Sequence, residues 1–358
     1  MVKADVLCQY YQMSSELENK FVFLNHKITM KRLSILALIA VSLSANAQQV
    51  KKVTHEFPLS GNEKWDYLFV NNNRLFVSHG NKVQVLDVNS GKEIASIDGL
   101  SGVHGIAIDK ENHYGFISNG KQNSVIVFDN NSYKILDSVK TGEKPDAIIL
   151  EPFTNSIVTG NGVGNSLSVI DATTLEVSAT IALDGNPEYI VSDNNGMMYA
   201  NIESKSKIAV IDMKTMTLQK YFDLLPQGEE PTGLAIDIDK QLLFAGCANK
   251  KLMVVDIKKG KITATAPIGS DCDGVAYSPS RKYVYASNKD GTMSVIHLKS
   301  DNTVEALPSI KTQFGAKTVA IDEANNVVYT TVAKLVKSQK EATKMDIVPN
   351  TFKVIAIQ

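Results

Sequence analysis

Seven polar residues recur along the chain about 40 residues apart, each at the start of a short apolar run. If they converge, they gather four carboxylates, one imidazole and one ammonium group, and each would perturb the pKa values of the others. Carboxylates beside a histidine suit a divalent cation or a cationic ligand. In chain order the seven residues are Asp66, His104, Asp146, Glu188, Thr232, Asp273 and Lys317.

Within this row, His104, Glu188 and Asp273 are the candidate metal ligands. No short spacing like that of a Cys/His zinc motif requires a metal, so a divalent ion is one option and the cofactor stays undetermined. The competing interpretation is a water-filled polar mouth without any ligand. A second polar set stands at the ends of the neighbouring strands and is expected to surround the point where the first row converges. It consists of His79, Asn119, Cys247 and Asn288.

The elements that must position these residues form an internal repeat. Each copy has short β-rich runs separated by turn residues, and its third run ends on an aspartate in five copies. Four such strands in a repeat of about 42 residues are typical of a β-propeller blade. The aspartates are Asp87, Asp129, Asp171, Asp212 and Asp256, and His297 takes this place in the sixth copy.

The sequence predicts an all-β fold, a seven-bladed β-propeller over residues 48–358, because each of the three inner strand rows has seven members. The last copy lacks a fourth strand, and residues 50–59 supply a candidate. Blade seven would then be closed by the N-terminal strand of the mature chain, which removes an exposed sheet edge. Six or eight blades are the disfavoured alternatives. In a propeller the first strand starts and the second strand ends on one face, so both polar sets should meet at one channel mouth.

The repeat-end aspartates are interpreted as fold residues rather than as ligands. Asp87 and Asp256 each begin a tight turn that contains Gly91 or Gly260. A short Asp side chain can accept hydrogen bonds from backbone amides two residues on and so nucleate this turn.

The start of the chain has the pattern of a secretory signal. Met30 is followed by Lys31 and Arg32, an apolar run over 33–43, and the small-residue site Ala45-Asn46-Ala47. We therefore expect a mis-assigned upstream extension over 1–29, a signal peptide over 30–47 and export to the periplasm or the medium. A 47-residue leader is the alternative. The apolar run is too short to span a membrane comfortably, so no membrane span is expected in the mature chain.

Composition excludes some partners. The 358 residues carry a net charge of −1, and removal of five basic and three acidic residues with the leader makes it −3. A dedicated nucleic-acid or acidic-membrane binder needs an excess of Lys and Arg, so no nucleic acid is expected as a partner. Three cysteines are too few for a disulfide scaffold.

Several strand motifs are similar to the YVTN-type repeat. They are Phe76-Val-Ser-His79, Phe116-Ile-Ser-Asn119 and Tyr285-Ala-Ser-Asn288, each followed by a strand such as Ser168-Val-Ile-Asp171. Together with the secretion signal, they make the chain resemble the YncE-like periplasmic propellers over essentially the whole mature chain. The resemblance implies the propeller fold and leaves the function open. It departs from WD40 propellers, since Trp65-Asp66 opens an inner strand instead of closing a third one.

Two further features lie on the predicted mouth face. The longest insertion spans 333–350 and carries Lys334, Lys337, Lys340 and Lys344, and we expect a lid or partner-contact loop, with plain disorder as the alternative. Cys247 and Cys272 belong to neighbouring blades, and a disulfide between them is one option in an oxidising compartment.

No phosphate-binding loop, nucleophile elbow or H-E-x-x-H motif occurs in the sequence. The favoured function is therefore a non-enzymatic, monomeric binding or scaffold protein that holds a small ligand, a metal or a protein partner at the channel face. The alternative is a divalent-metal-dependent hydrolase or lyase of the lactonase-like kind, with Asp146, Glu188, Asp273 and Asn288 as its candidates. Single-stranded nucleic-acid binding is weaker because basic and aromatic residues do not cluster.

Overall fold

The computed structural model describes residues 52–109, 111, 113–338 and 344–358. The expected extension over 1–29 and signal peptide over 30–47 lie outside the described residues. Within these ranges, no helix has the length and apolar character needed to cross a bilayer. Two single 3₁₀ turns, Gly120–Gln122 and Glu203–Lys205, accompany the strands.

The described residues form thirty strands, which belong to seven four-stranded sheets and one two-stranded hairpin. The strands are β1 Val53–Pro58, β2 Trp65–Asn71, β3 Arg74–His79, β4 Lys82–Asp87, β5 Glu93–Ile97, β6 Val103–Ile108, β7 Tyr114–Asn119, β8 Ser124–Asp129, β9 Ile135–Lys140, β10 Pro145–Glu151, β11 Ser156–Asn161, β12 Ser166–Asp171, β13 Val177–Ala182, β14 Pro187–Ser192, β15 Met197–Ile202, β16 Lys207–Asp212, β17 Thr217–Asp223, β18 Pro231–Asp237, β19 Leu242–Cys247, β20 Lys251–Asp256, β21 Lys261–Pro267, β22 Cys272–Ser278, β23 Tyr283–Asn288, β24 Thr292–Leu298, β25 Val304–Lys311, β26 Val319–Asp322, β27 Val327–Val332, β28 Leu335–Lys337, β29 Met345–Ile347 and β30 Lys353–Ile357.

The seven four-stranded sheets are the blades of a propeller. Six of them are antiparallel meanders of four consecutive strands, from β2–β5 to β22–β25. The innermost strands contact each other in the order β2, β6, β10, β14, β18, β22 and β26, and β26 contacts β2 again. The all-β, seven-bladed fold predicted from the repeat is therefore confirmed.

The seventh sheet combines strands from both ends of the described chain. Its order is β26, β27, β30 and β1, with β1 outermost. Strand β1 pairs antiparallel with β30 from Val53 opposite Ile357 to Pro58 opposite Lys353. The first strand of the described region thus occupies the outer position of the sheet that holds the last three blade strands.

The core lies between the blades. Alternate residues of a strand point to opposite faces of its sheet, so each middle strand faces two neighbouring blades. In β3, Phe76 packs against the second blade, whereas Leu75 and Val77 pack against the seventh. One buried apolar cluster of this kind fills each of the seven gaps between adjacent blades in the described residues. This burial on both faces explains why the middle strands read as nearly continuous apolar runs.

The predicted turn role of the repeat-end aspartates is confirmed. Asp87 Oδ1 accepts hydrogen bonds from the backbone nitrogen of Ser90 at 2.8 Å and from its hydroxyl at 2.7 Å. Asp256 accepts one from the Lys259 nitrogen at 2.9 Å. The Ser90 hydrogen bonds hold the pKa of Asp87 below its usual value. These carboxylates therefore accept their hydrogen bonds from turns of their own blades.

Candidate functional site

The inner strands position the polar row through a repeated backbone irregularity. In six blades the register of the inner strand shifts within its first residues, as between Trp65 and Leu68 in β2 and between Val103 and Ile106 in β6. In each case the shift brackets the polar residue, Asp66 in the first strand and His104 in the second. A β-bulge interrupts regular strand pairing and changes the direction of a side chain, so these residues need not point into the packed faces between the blades.

Three members of the row come close together. His104 Nδ1 lies 2.6 Å from Asp66 Oδ2 and 3.6 Å from Asp146 Oδ1. All three side chains are at most 20% exposed. Gly120 leaves room for the imidazole, since a Cβ there would lie 2.9 Å from His104 Nε2. Two carboxylates from flanking blades therefore face the same ring nitrogen.

Lys317 and Asp273 continue the row on the other side. Lys317 Nζ lies 3.9 Å from Asp66 Oδ1, and Asp273 Oδ2 accepts a hydrogen bond from the Thr318 nitrogen at 3.1 Å. Burial lowers the pKa of Lys317, but the charges of Asp66, Asp273, Asp146 and Glu188 outweigh it and raise the pKa overall. One ammonium group thus interacts with all four ring carboxylates.

Burial shifts the protonation of the carboxylates themselves. It raises the pKa of Asp146 to about 6, with a further contribution from Asp66. It raises the pKa of Glu188 to about 8, helped by the charges of Asp146 and Glu203. The pKa of Asp273 is also raised, mainly by burial. Because burial is the largest cause in each case, these three carboxyl groups ionise less readily than carboxyl groups in water.

The pKa of His104 is raised, although burial alone would lower it. Burial lowers its pKa, but the hydrogen bond to Asp66 and the charge of Asp146 raise it further than burial lowers it. The Asp66 and Asp146 carboxylates therefore favour the protonated form of the imidazole.

Glu188 and Thr232 have other partners. Glu188 Oε1 accepts a hydrogen bond from the Asn186 amide at 3.2 Å, and the same amide donates to Glu203. The Thr232 hydroxyl donates to the backbone carbonyl of Cys272. Of the expected metal ligands, only His104 belongs to the group whose ligand atoms lie within 4.8 Å of one another among the described residues; its companions there are Asp66 and Asp146.

Two adjoining cavities open at this mouth. One of about 460 Å³ is lined by Asp66 and His104, and one of about 640 Å³ is lined by Asp273; Lys317 borders both. Four exposed lysines surround them, which we call the rim lysines: Lys64, Lys121, Lys144 and Lys289. The rim lysines did not enter the sequence prediction, although Lys64 and Lys144 stand two residues before Asp66 and Asp146 in the chain.

The long insertion reaches the larger cavity. Strands β28 and β29 form a hairpin whose Leu335 and Ile347 pack against the core between blades seven and one. Leu335, Met345, Asp346 and Ile347 line the cavity beside Asp273. Residues 339–343 at its centre, including Lys340, lie outside the described residues. The described part of the hairpin thus forms one wall of the larger cavity.

The second polar set is engaged inside the blades. Both ring nitrogens of buried His79 have partners, Gln84 Oε1 at 2.8 Å and the Glu63 carbonyl at 3.0 Å. Asn119 Oδ1 accepts a hydrogen bond from the Ser101 nitrogen at 2.7 Å. The Asn288 amide donates to Thr292 and Ser294. These side chains fix the loops below the mouth and do not line either cavity.

Cys247 and Cys272 are both free thiols and both buried. Burial raises the pKa of the Cys247 thiol to about 12 and that of Cys272 further. The thiolate, which binds metals and attacks disulfides, is therefore disfavoured in both residues.

The serines of the three YVTN-like motifs join neighbouring blades. The hydroxyls of Ser78, Ser118 and Ser287 donate to the backbone carbonyls of His104, Asp146 and Lys317 in the next blade. The motif therefore acts on the polar row indirectly, because it fixes the backbone that carries each row member.

The sequence relatives agree with this fold. Over 254 residues the chain is 24% identical to Antigen Lp49 of Leptospira interrogans, which covers 66% of this chain and 55% of that protein. Over 223 residues it is 24% identical to the uncharacterised protein YncE of Salmonella typhi, covering 59% of this chain and 62% of YncE. The resemblance to the YncE-like propellers is confirmed. No family model matches the chain.

The match to these YncE-like relatives spans less than two thirds of their length. Solved structures support the fold alone. U3-55K aligns with a TM-score of 0.71 at 10% identity, covering 84% of this chain and 97% of that one. The hydrazine synthase of Kuenenia stuttgartiensis aligns with a TM-score of 0.58 at 21% identity, covering 66% and 77%.

Proposed function

We propose that this YncE-like chain is an exported, non-enzymatic β-propeller that binds a small ligand at the mouth of its central channel. The observation that carries the proposal is the convergence of four carboxyl groups, His104 and Lys317. Two open cavities adjoin this group, and they are lined by Asp66, His104, Asp273 and Lys317. Buried charges of this density are costly unless they are paired, and they cluster at sites that bind or react.

The charge distribution indicates the chemistry of the ligand. The carboxyl groups of Asp146 and Glu188 are more buried than the ammonium groups of the rim lysines, which are exposed. A ligand that places a cation toward the channel and an anionic group toward the rim would match both layers. The larger cavity adds an apolar wall of Trp65, Leu335 and Ile347.

The hairpin of β28 and β29 is the cover of this site in the proposal. Leu335, Met345, Asp346 and Ile347 line the larger cavity. The apolar residues Val336 and Met345 are 43% and 40% exposed. In the proposal, a ligand in the larger cavity contacts Met345, and the exposed Val336 offers apolar surface to a protein partner.

The contacts favour binding over the hydrolase or lyase alternative. Asn288, one of the four candidates for that chemistry, uses its amide within its own blade. Asp273 is held by the Thr318 backbone nitrogen. Glu188 shares Asn186 with Glu203. None of these three therefore has a partner arrangement that activates a nucleophile or a water molecule.

Export is part of the proposal and follows from the signal pattern over 30–47. N-terminal sequencing of the secreted protein should give Gln48 as the first residue. A mature chain that begins before residue 48 would contradict this cleavage site.

Native mass spectrometry tests the binding function most simply. Protein purified from its own host should carry a co-purifying small molecule, and the paired variant Asp273→Asn, Lys317→Met should lose it while remaining folded. A photo-crosslinker at Lys121 on the mouth should capture a protein partner if one docks there, and one at exposed Lys258 on the opposite face is the control. No retained molecule and no crosslink specific to Lys121 would contradict the proposal.

A further inference from the structure

We propose that Asp66, His104 and Asp146 bind one divalent transition-metal ion, for which zinc is the best match. The inference rests on the proposed function, because it names the first occupant of the channel mouth. Each residue offers one ligand atom, and these atoms lie within 4.8 Å of one another. They come from the successive inner strands β2, β6 and β10, so the ring of blades itself sets the triangle.

The Asp146 carboxylate is the observation that points to a missing ligand. The side chain of Asp146 is 12% exposed, and its nearest cationic atoms are His104 Nδ1 at 3.6 Å and Lys144 Nζ at 3.9 Å. No donor among the described residues makes a hydrogen bond to this carboxylate within 3.5 Å. Buried carboxylates are normally hydrogen-bonded or bound to a metal. An ion between the three residues would give this carboxylate a closer partner than His104 or Lys144 does.

The surrounding charge also favours a cation. The ring carries four carboxyl groups, those of Asp66, Asp146, Glu188 and Asp273, but only one imidazole and one ammonium group. Lys317 is the ring's own ammonium group and lies 3.9 Å from Asp66. A divalent ion would balance the remaining negative charge at the centre of the cluster.

The donor set selects the kind of metal. One imidazole nitrogen and two carboxylate oxygens suit zinc or manganese better than magnesium or calcium, which prefer oxygen ligands throughout. Three protein ligands leave at least one coordination position open. Lys144 and Lys317 flank the cluster, so an anionic group of a small ligand is the natural occupant of that position.

The chain offers matched controls. Glu188 and Asp273 are carboxylates of the same ring, but neither belongs to the cluster. Glu188→Gln and Asp273→Asn each remove one ionisable carboxyl group from the ring, as Asp146→Asn does. A site held by general negative charge would weaken equally in all three variants, whereas a coordinating cluster would weaken in only one of them.

The test is isothermal titration of zinc into the whole exported protein after removal of metals with a chelator. The wild-type protein should bind one equivalent. Asp146→Asn and His104→Asn should lose more affinity than the roughly 10- to 100-fold typical of outer-shell changes, while both controls stay within about 10-fold. Circular dichroism checks the fold, and Asp66→Asn replaces either variant that does not fold.

Cobalt substitution gives a second readout of coordination. The visible spectrum of the cobalt form should change in His104→Asn and stay the same in Glu188→Gln. Absence of stoichiometric zinc binding by the folded wild-type protein, or equal loss in the controls, would overturn the site. Zinc binding without any retained small molecule would support the metal site and count against the proposed function. A small molecule retained on protein that binds no zinc would support the proposed function and count against the metal site.

Discussion

At the scale of single residues, the role of each polar side chain at the channel mouth depends on whether other groups of the protein hydrogen-bond to it. His79, Asn119 and Asn288 have partners inside their own blades or loops, and these contacts hold the loops in place. Asp146 and Lys317 have long ionic contacts and few hydrogen bonds. The first group is therefore structural, and the second group is available to a ligand.

Glu188 predicts a pH dependence of stability. Burial, with help from Asp146 and Glu203, raises its pKa from 4.5 to about 8. Between these values the folded protein holds a proton that the unfolded chain has released, so the free energy of unfolding should fall as the pH rises from about 5 to 8. Urea unfolding with a chelator present should show a smaller fall in Glu188→Gln than in the wild type. Exposed Glu229→Gln is the control, and a fall unchanged in Glu188→Gln would contradict the assignment.

Ser118 predicts the strength of one blade-to-blade contact. Its hydroxyl accepts a hydrogen bond from the buried Gly105 nitrogen at 2.7 Å and donates to the Asp146 carbonyl. Ser118→Ala should lower the free energy of unfolding by about 1–3 kcal/mol, because it leaves buried groups without partners. Ser138→Ala on the exposed face of β9 should change it by less than about 0.5 kcal/mol. Equal urea midpoints for both variants would show that the contact contributes nothing.

At the scale of elements, the bulge at the start of each inner strand positions the site. The sequence shows a polar residue in an apolar context, and this is enough to predict a ring at one mouth. It does not show the register shift between Val103 and Ile106 that turns His104 toward Asp66. Which carboxylates meet the histidine therefore depends on local backbone geometry that residue types alone do not determine.

The second polar set illustrates the same limit. His79 and Asn119 end strands on the expected face, as the repeat predicts, but their side chains turn back to Gln84 and to the loop at Ser101. Strand ends determine position along the blade, whereas side-chain direction depends on nearby donors and acceptors. Pairing of the two cysteines was undetermined in the sequence for the same reason.

The β28–β29 hairpin predicts a separable effect on binding. Replacement of residues 336–346 by a short glycine–serine turn keeps Leu335 and Ile347, which pack on the core. The thermal midpoint should stay within about 4 °C, since none of the described side chains among those removed is buried. Retention of the small molecule in native mass spectrometry should fall. An unchanged retention would show that the hairpin is not a cover for the mouth.

At the scale of the whole molecule, seven blades share the core in the gaps between them, so stability depends on an unbroken ring. Strand β1 occupies the outer position beside β30, and its Phe57 packs in the cluster between blades seven and one. The repeat predicted the blade number because every gap needs the same apolar alternation. It could not by itself establish the strand pairing between the two ends of the chain.

Removal of residues 52–58 tests this dependence. The truncated chain should lose about 10 °C or more in thermal midpoint and aggregate more readily, because β30 becomes an exposed edge. A circular permutant that carries the same residues after a linker at the C-terminus restores the strand with a different connection and should recover the midpoint. A truncated chain as stable as the whole one would show that β1 is dispensable.

In the proposal, the channel mouth is a built binding site centred on Asp66, His104 and Asp146. A crystal structure of the exported protein with zinc, with anomalous data collected at the zinc edge, tests this most directly. One strong peak should lie within coordination distance of His104 Nδ1 and of one oxygen from each carboxylate. A peak elsewhere on the molecule, or none at the mouth, would contradict it.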